Sequence, residues 1–496
     1  TGELIEEPRA ITHPVKFYEK GDRPLEIVTS RQWYIRNGGR DEQLREKLLA
    51  RGDELTWHPD FMQHRYANWV GGLNGDWLVS RQRYFGVPIP LWYRLDAQGE
   101  IIYENPLVPT SDQLPIDPST DLPAGYLADQ RDKPNGFVGE PDIMDTWATS
   151  SLTPQIAGRW IDDSDLFERI FPMDIRPQGH DIIRTWLFAT MVRSNFEHGQ
   201  APWRNAALSG WILDPDRKKM SKSKGNVVTP SDLFDQYGSD AVRYWAACAR
   251  PGVDTAFSEE QMKVGRKLAT KLLNLSKFVL GAGEADASAV PSDLVDQAML
   301  SRLADVVEEA TTALEQFDYA RALERTEAFF WWFCDDYVEL VKTRAYGETQ
   351  DSSSARVSLR RALSVLQRLL APMLPFATEE VWSWWQSGSI HRTNWPTSNE
   401  TLAGCTANKD GLAELDAIYV VLAAVRRAKT EAKVSQRAEV AKLKVTSDAK
   451  TLNVLRTNID DLRNAGALQE IEYTESSSDG ESREITAQVT LAAPLN

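Results

Sequence analysis

From about Gln261 onward, apolar residues return every three or four positions. Val264, Leu268, Leu272, Leu275 and Val279 mark one helix face, and Leu303, Val306, Val307 and Leu314 mark another. That period predicts amphipathic helices packed as a bundle, completed by helical stretches over 328–346 and 358–385. The run Phe329-Phe330-Trp331-Trp332-Phe333 invites a base-stacking role, because aromatic faces hold single-stranded bases. Five consecutive aromatics point all round a helix, however, so they read as core. After a Ser/Thr/Asn/Gly-rich connection over 386–410, a last helix bears Leu415, Ile418, Leu422 and Val425. Arg426, Lys429 and Lys433 continue nearly the same face and are expected to carry charge past the packing partner. Strands follow at 441–446, 470–474 and 485–492, with Asp479-Gly480 as the turn between the last two.

Ahead of Gln261 the period shortens. Residues 11–15, 25–29 and 31–35 are strand-like. Glu42 to Arg51 reads as a charged, exposed helix, and Phe61 to Gly71 as a second with Met62, Tyr66, Trp69 and Val70 on its apolar side. A strand pair around Gly99 leads into a Pro/Asp/Gly-rich connection over 104–137. The strand 206–210 precedes Trp211-Ile212-Leu213-Asp214-Pro215-Asp216, a short strand entering a turn, and two helices follow at 232–237 and 240–249. The expected fold is an α/β half, then an α-helical bundle, then a small α+β C-terminal domain. A length of 496 residues suits three or four such domains.

Composition narrows the classes. A net charge of −16 argues against indiscriminate nucleic-acid binding but leaves room for local positive potential. Cys248, Cys334 and Cys405 are scattered. They suit a reducing cytoplasm and argue against a disulfide framework or a Cys-based zinc site. No apolar run approaches the roughly 20 residues of a membrane span, so no membrane partner is expected. The chain opens Thr1-Gly2-Glu3-Leu4 without a methionine and is expected to be a piece of a longer protein.

The strongest chemical signal is a cluster of Arg217, Lys218, Lys219, Lys222 and Lys224, spaced by Met and Ser. On a mobile loop, lysines act as point charges that can follow a moving polyphosphate. Lys219-Met220-Ser221-Lys222-Ser223 resembles the Lys-Met-Ser-Lys-Ser loop of class I aminoacyl-tRNA synthetases, letter for letter. The segment Asp76-Trp77-Leu78-Val79-Ser80-Arg81-Gln82 resembles the one that follows the editing insertion in the branched-chain subclass. Asp145-Thr146-Trp147-Ala148-Thr149-Ser150 and Arg176-Pro177-Gln178-Gly179-His180-Asp181 resemble amino-acid-pocket segments of the valyl branch. Where relatives carry a Cys-x-x-Cys zinc knuckle, this chain reads Arg94-Leu95-Asp96-Ala97, so no structural zinc is expected.

The resemblance implies a Rossmann-like catalytic half and ATP-dependent ligation of valine to tRNA(Val) through valyl-adenylate, with Mg²⁺ arriving with ATP. It implies Lys219 and Lys222 as catalytic cations, and Lys219, Met220, Ser221, Lys222, Ser223 and Gly179 as the ATP contacts. Trp147, Trp186, Asp181 and Gln178 would hold the amino acid, the two indoles walling an apolar slot. Taken alone, either Trp reads as core. His180 is given no role, since the chemistry needs no side-chain base. The implied divisions are 1–35 (end of the editing insertion), 36–225 (catalytic), 226–260 (stem-contact linker), 261–400 (anticodon-binding) and 410–496 (C-terminal). The protein is expected to be a cytoplasmic monomer. The family's His-x-Gly-His motif is missing from this sequence, so this piece alone is expected to be inactive. The alternatives are an isoleucyl-tRNA synthetase fragment, which the Asp145–Ser150 run and the cysteine-free tail disfavour, and a non-catalytic tRNA-binding paralogue, which the intact lysine run and pocket tryptophans disfavour.

Overall fold

The computed structural model describes residues 9–10, 12, 14–17, 21–26, 29–220, 225–284, 288–348, 350–405, 409–476 and 484–492. The strand expectations over 11–15 and 25–29 therefore lie partly, and the Asp479-Gly480 turn wholly, outside the described residues. The chain divides into two compact units. One comprises residues Thr1–Thr56, Gln63–Ile175 and Asp181–Asn205; the other comprises Trp57–Met62, Arg176–His180 and Ala206–Asn496. The strands Thr56–His58, Trp203–Ser209 and Met173–Gly179 form a sheet in that order.

In the first unit, Asp41 caps the helix Glu42–Asp53 by accepting from the Leu44 N–H at 3.0 Å. The sequence suggested an exposed helix, but Leu44, Leu48 and Gly52 are buried. The apolar stripe is only three residues wide, and the many charges around it disguise its amphipathicity. Tyr66 packs there and donates its hydroxyl to the Leu48 carbonyl at 2.7 Å. A Cβ at Gly52 would lie 2.4 Å from the Tyr66 ring, so glycine is required for this approach. Met62, Tyr66 and Val70 of the second helix are buried as expected, whereas Trp69 is half-buried.

The strand pair around Gly99 forms as Trp92–Leu95 against Ile101–Leu107, with Phe137–Gly139 on the other side of Trp92–Leu95. The connection between Leu107 and Phe137 is tied down. The Trp92 indole N–H reaches the carbonyls of Pro118 and Asp121 at 3.2 Å each, and Arg131 donates to Pro118 O at 2.8 Å.

In the second unit, helices Glu259–Gly281, Leu294–Glu315, Tyr319–Trp332, Val338–Ala345, Gln350–Leu370 and Pro375–Ser383 build the bundle. The expected 328–346 helix starts earlier, at Tyr319, and passes through a π turn at Phe333–Tyr337. The 358–385 stretch starts at Gln350 and breaks at 371–374, just before Pro375 opens the next helix. Phe329, Phe330 and Phe333 are buried, so the aromatic run is core.

One apolar core runs from Leu268 through the bundle to Leu455 and Leu468. In the C-terminal region, Val440–Ser447 is the central strand, parallel to Leu468–Glu475 and antiparallel to Thr486–Leu491. Two helices absent from the sequence reading, Ala449–Thr457 and Ile459–Gly466, form the crossover that a parallel pair needs. The last two strands flank the central one, which corrects the expected hairpin between them.

Arg344 ties this region to the bundle. Its guanidinium pairs with Asp296 at 2.9 Å and with Asp461 at 2.9 Å, while Tyr337 donates to Asp296 at 2.6 Å. Lys429 also corrects its expectation. It is 1% exposed, and its ammonium donates to Gln436 O and Gly466 O, each at 2.9 Å. Arg426 is turned to Asp336.

Candidate active site

The lysine run begins at a turn built by one carboxylate. Ile212–Leu213 pairs in parallel with Thr255–Ala256, and Leu213 bridges Lys219 across the turn. Buried Asp214 accepts from the Lys218 N–H at 2.7 Å through one oxygen and from the Asn226 amide at 2.8 Å through the other. These bonds, the Asn226 amide first, hold the Asp214 carboxyl below the usual carboxylate range. Arg217 occupies the left-handed region at φ 61°, closing the turn. Asn226 also reaches Lys219 O at 3.3 Å. Asp214 and Asn226 thus pinch together the two ends of the segment that carries the lysines. Ser221, Lys222, Ser223 and Lys224 lie outside the described residues.

Lys219 is exposed, with its ammonium 4.2 Å from the centroid of the Trp211 ring, a cation–π distance. Met220 beside it is half-buried. Trp211 packs on His180, their centroids 4.9 Å apart. His180 Nε2 lies 3.6 Å from Asp254 Oδ1, and that same oxygen accepts from the Trp211 N–H at 2.8 Å. His180 is buried, consistent with a packing role.

Arg176 and Gln178 are both buried, and Arg176 Nε donates to Gln178 Oε1 at 3.2 Å. Burial pushes the Arg176 guanidinium down to about 10. The Gln178 amide is thus engaged inside the protein, with its NH₂ 3.4 Å from Gly179 O. Gly179 ends the strand Met173–Gly179 and is half-buried.

The first unit holds a second cluster around Asp145. Its carboxylate caps the helix Thr146–Ser150 by accepting from the Trp147 N–H at 3.2 Å. It also accepts from the Trp77 indole at 3.1 Å and from Arg81 at 2.8 Å. Trp147, held this way, lines a cavity of about 460 Å³ together with Trp69, Trp77, Asp76, Arg184 and Phe188. Three indoles make its walls apolar and rigid. Inside it, Asp76 Oδ1 and Trp69 Nε1 are buried without hydrogen-bond partners among the described residues.

Trp186 is not among the residues lining this cavity. Its indole donates to Ser150 O at 3.0 Å, bracing the helix that presents Trp147. Asp181 is half-buried at the start of the short helical turn His180–Ile182. Sequence reasoning singled out Trp147 but missed Asp145, Trp69 and Trp77 as its frame, and missed the Asp214–Asn226 clasp. Asp145 directly precedes a short helix, and that N-cap signal could have found it.

Residues 18–258 match the family described as tRNA synthetases class I (I, L, M and V), and residues 296–446 match the anticodon-binding domain of tRNA ligase. The chain is 61% identical over 488 residues to a "Valine--tRNA ligase" of Thermobifida fusca, covering 97% of this chain and 55% of that protein. A Salinispora tropica "Valine--tRNA ligase" is 56% identical over 508 residues, covering 99% of this chain and 58% of the relative. The chain therefore spans somewhat more than half the length of these relatives. The crystal structure of an Agrobacterium radiobacter LeuRS-tRNA-LeuAMS ternary complex superposes with a TM-score of 0.53 at 22% identity, over 67% of this chain and 44% of that one. That likeness supports the fold: a Rossmann-like catalytic half, a helical bundle and a small α+β region. Over residues 18–258 the chain is similar to the class I tRNA synthetases.

Proposed function

We propose that this chain is the part of a valine–tRNA ligase that carries the lysine loop, the side-chain pocket and the anticodon-binding helices. The observation that carries the reading is the intact Lys-Met-Ser-Lys-Ser run emerging from a turn clasped by Asp214 and Asn226. The identity to proteins named valine–tRNA ligase favours valine over isoleucine as the substrate.

The reaction begins with attack of the valine carboxylate oxygen on the α-phosphorus of ATP. The bond from that phosphorus to the bridging oxygen breaks, and pyrophosphate leaves carrying the electron pair. The protein's task is to position the reactants and neutralise charge. Lys219 and Lys222 contact the β- and γ-phosphates most strongly as pyrophosphate departs, which is differential binding of the transition state. Gly179, Met220, Ser221 and Ser223 border the nucleotide, and Mg²⁺ enters as part of the ATP substrate. A hydroxyl of the terminal ribose of tRNA(Val) then attacks the valyl carbonyl carbon and gives up its proton, the bond from that carbon to the phosphate oxygen breaks, and AMP leaves with the electron pair.

Trp147 forms the wall that meets the branched side chain, Trp186 supports it, and Asp181 serves the substrate's ammonium. Gln178 acts by holding Arg176 and the end of its strand. The domain divisions are those implied by the sequence, and the protein works as a cytoplasmic monomer without structural zinc. Among the described residues, no helix is long and apolar enough to cross a membrane. The test is valine-dependent exchange of pyrophosphate into ATP by the protein extended to the full length of its relatives. Exchange that ignores valine refutes the reading.

A further inference from the structure

The helix Pro375–Ser383 opens without a cap of its own, since Leu374 at its N-cap position makes no side-chain hydrogen bond. The acceptor comes from Asp240, in the first turn of the helix Ser239–Ala247. One Asp240 oxygen accepts from the Phe376 N–H at 3.1 Å and the other from the Ala377 N–H at 2.7 Å. Asp240 is 9% exposed, so a buried carboxylate sits on the positive end of another helix's dipole. One turn on and facing solvent, Arg243 donates to Pro372 O at 2.8 Å, at the same break in the bundle. The two side chains share a helix face, and each meets a backbone group of opposite partial charge.

Trp245 lies on roughly the opposite side of this helix from Arg243 and fastens it to the lysine turn. Its indole donates to Ala256 O at 3.2 Å, and its ring packs on Phe257 with centroids 6.0 Å apart. Ala256 pairs with Leu213, and the Phe257 N–H reaches Leu213 O at 2.8 Å. Leu213 in turn bridges Lys219. Between these two attachments Tyr244 holds the helix in place. Its hydroxyl donates to Glu327 at 2.7 Å, and a Cβ on Gly265 would lie only 2.6 Å from the Tyr244 Cβ. Packing this close does not yield to small shifts, so movement at the break is passed to the turn.

We propose that Asp240 is a positioning residue for the reaction: by fixing the helix Ser239–Ala247 on the bundle, it sets where the Lys219 turn stands against the nucleotide. The reaction is that of the ligase reading, on which this part rests; the mechanical linkage rests on the contacts above alone. Asp240 touches no reactant. It acts through Trp245, Ala256 and Leu213, and so alters the placement of the Lys219 ammonium rather than its charge. Misplacement weakens the hold on charge that develops as pyrophosphate leaves, while valine, held by other residues, binds as before.

The first test is hydrogen–deuterium exchange on this chain, read by mass spectrometry. Asp240→Ala is expected to speed exchange about fivefold in peptides carrying Phe376 and Ala377, which lose their acceptor. Peptides carrying Phe257 and Lys218, remote from the substitution, are expected to exchange faster as well. Asp240→Asn keeps one acceptor oxygen and loses the other, so it is expected to fall between wild type and Ala at both places. Faster exchange at Phe376 and Ala377 alone confines Asp240 to capping and overturns the proposal.

In the full-length protein, Asp240→Ala is expected to lower kcat of valine-dependent pyrophosphate exchange about fivefold while KM for valine stays unchanged. The comparison variant is Asp448→Ala, which removes a cap of the same kind from the helix Ala449–Thr457 and is expected to leave kcat unmoved. An Asp240→Ala kcat equal to that of wild type, or an equal loss in Asp448→Ala, overturns the proposal and spares the ligase reading. Absent exchange in wild type refutes the ligase reading, and the deuterium experiment still decides the linkage.

Discussion

Removing the Asp145 carboxylate should loosen the indole cavity from within. Asp145 is 7% exposed and serves three donors at once: the Trp147 N–H, the Trp77 indole and Arg81. Asp145→Ala takes away the helix cap, worth about 1 kcal/mol. It also leaves the half-buried Trp77 indole N–H without its acceptor, which costs about 1–2 kcal/mol. The Arg81 pair adds less, on the order of 1 kcal/mol, because that side chain is one-third exposed and can turn to water. The three losses share one group and are not additive, so about 3 kcal/mol is expected for Ala. Asp145→Asn keeps an acceptor for the cap but sets an NH₂ where the other oxygen accepted from Trp77 and Arg81, so about 2 kcal/mol is expected. Guanidinium unfolding, followed by tryptophan fluorescence, measures both. Trp147 should also become more accessible to acrylamide in the Ala variant alone. An Ala variant within 0.5 kcal/mol of wild type, or one no less stable than Asn, refutes the argument.

The remaining predictions address other sites. Burial pushes the Asp461 carboxyl up to about 6 despite Arg344, above its unfolded value, so its stabilising contribution is present below about pH 4 and is lost as pH rises through 6. Asp461→Asn should therefore gain on wild type between pH 4.5 and 7.5 by on the order of 2 kcal/mol in denaturant titrations; a pH-independent difference contradicts this. Lys429→Met should cost about 1–3 kcal/mol by stranding the buried Gly466 carbonyl, while Gln436 O turns to water, and a thermal melt matching wild type would show the ammonium to be dispensable. In the full-length protein, Trp147→Leu should narrow the preference for valine over isoleucine in pyrophosphate exchange, since a slot discriminates one methylene by only about 1–3 kcal/mol. An unchanged ratio would mean that the wall lies elsewhere.

What could be read from the sequence followed the range of its interactions. The long helices were legible because Leu268, Leu272, Leu275 and Val279 repeat one helical face, and all four are buried. The helices Ala449–Thr457 and Ile459–Gly466 escaped notice because each spans about two turns. Only Leu452, Val454, Leu455 and Leu462 signal their buried side. Lys429 was misread because its acceptors lie 7 and 37 residues away, and helical periodicity cannot report them. The same limit applies at the site. Lys219 and Trp147 stand in contiguous motifs and could be named from residue order. Asp214 and Asn226 act as a pair across twelve positions, and Trp69 joins Trp147 only when the chain folds.

The central proposal is that the lysine loop assists the departure of pyrophosphate as the valine carboxylate attacks ATP. Its most direct test is the rate of valine-dependent pyrophosphate exchange in the full-length protein, wild type against Lys222→Ala. A cation aimed at charge that develops during reaction contributes about 3–4 kcal/mol, so the variant should exchange at least a hundredfold more slowly while its KM for valine stays near wild type. Exchange in the Lys222→Ala protein within a few-fold of wild type would contradict the account.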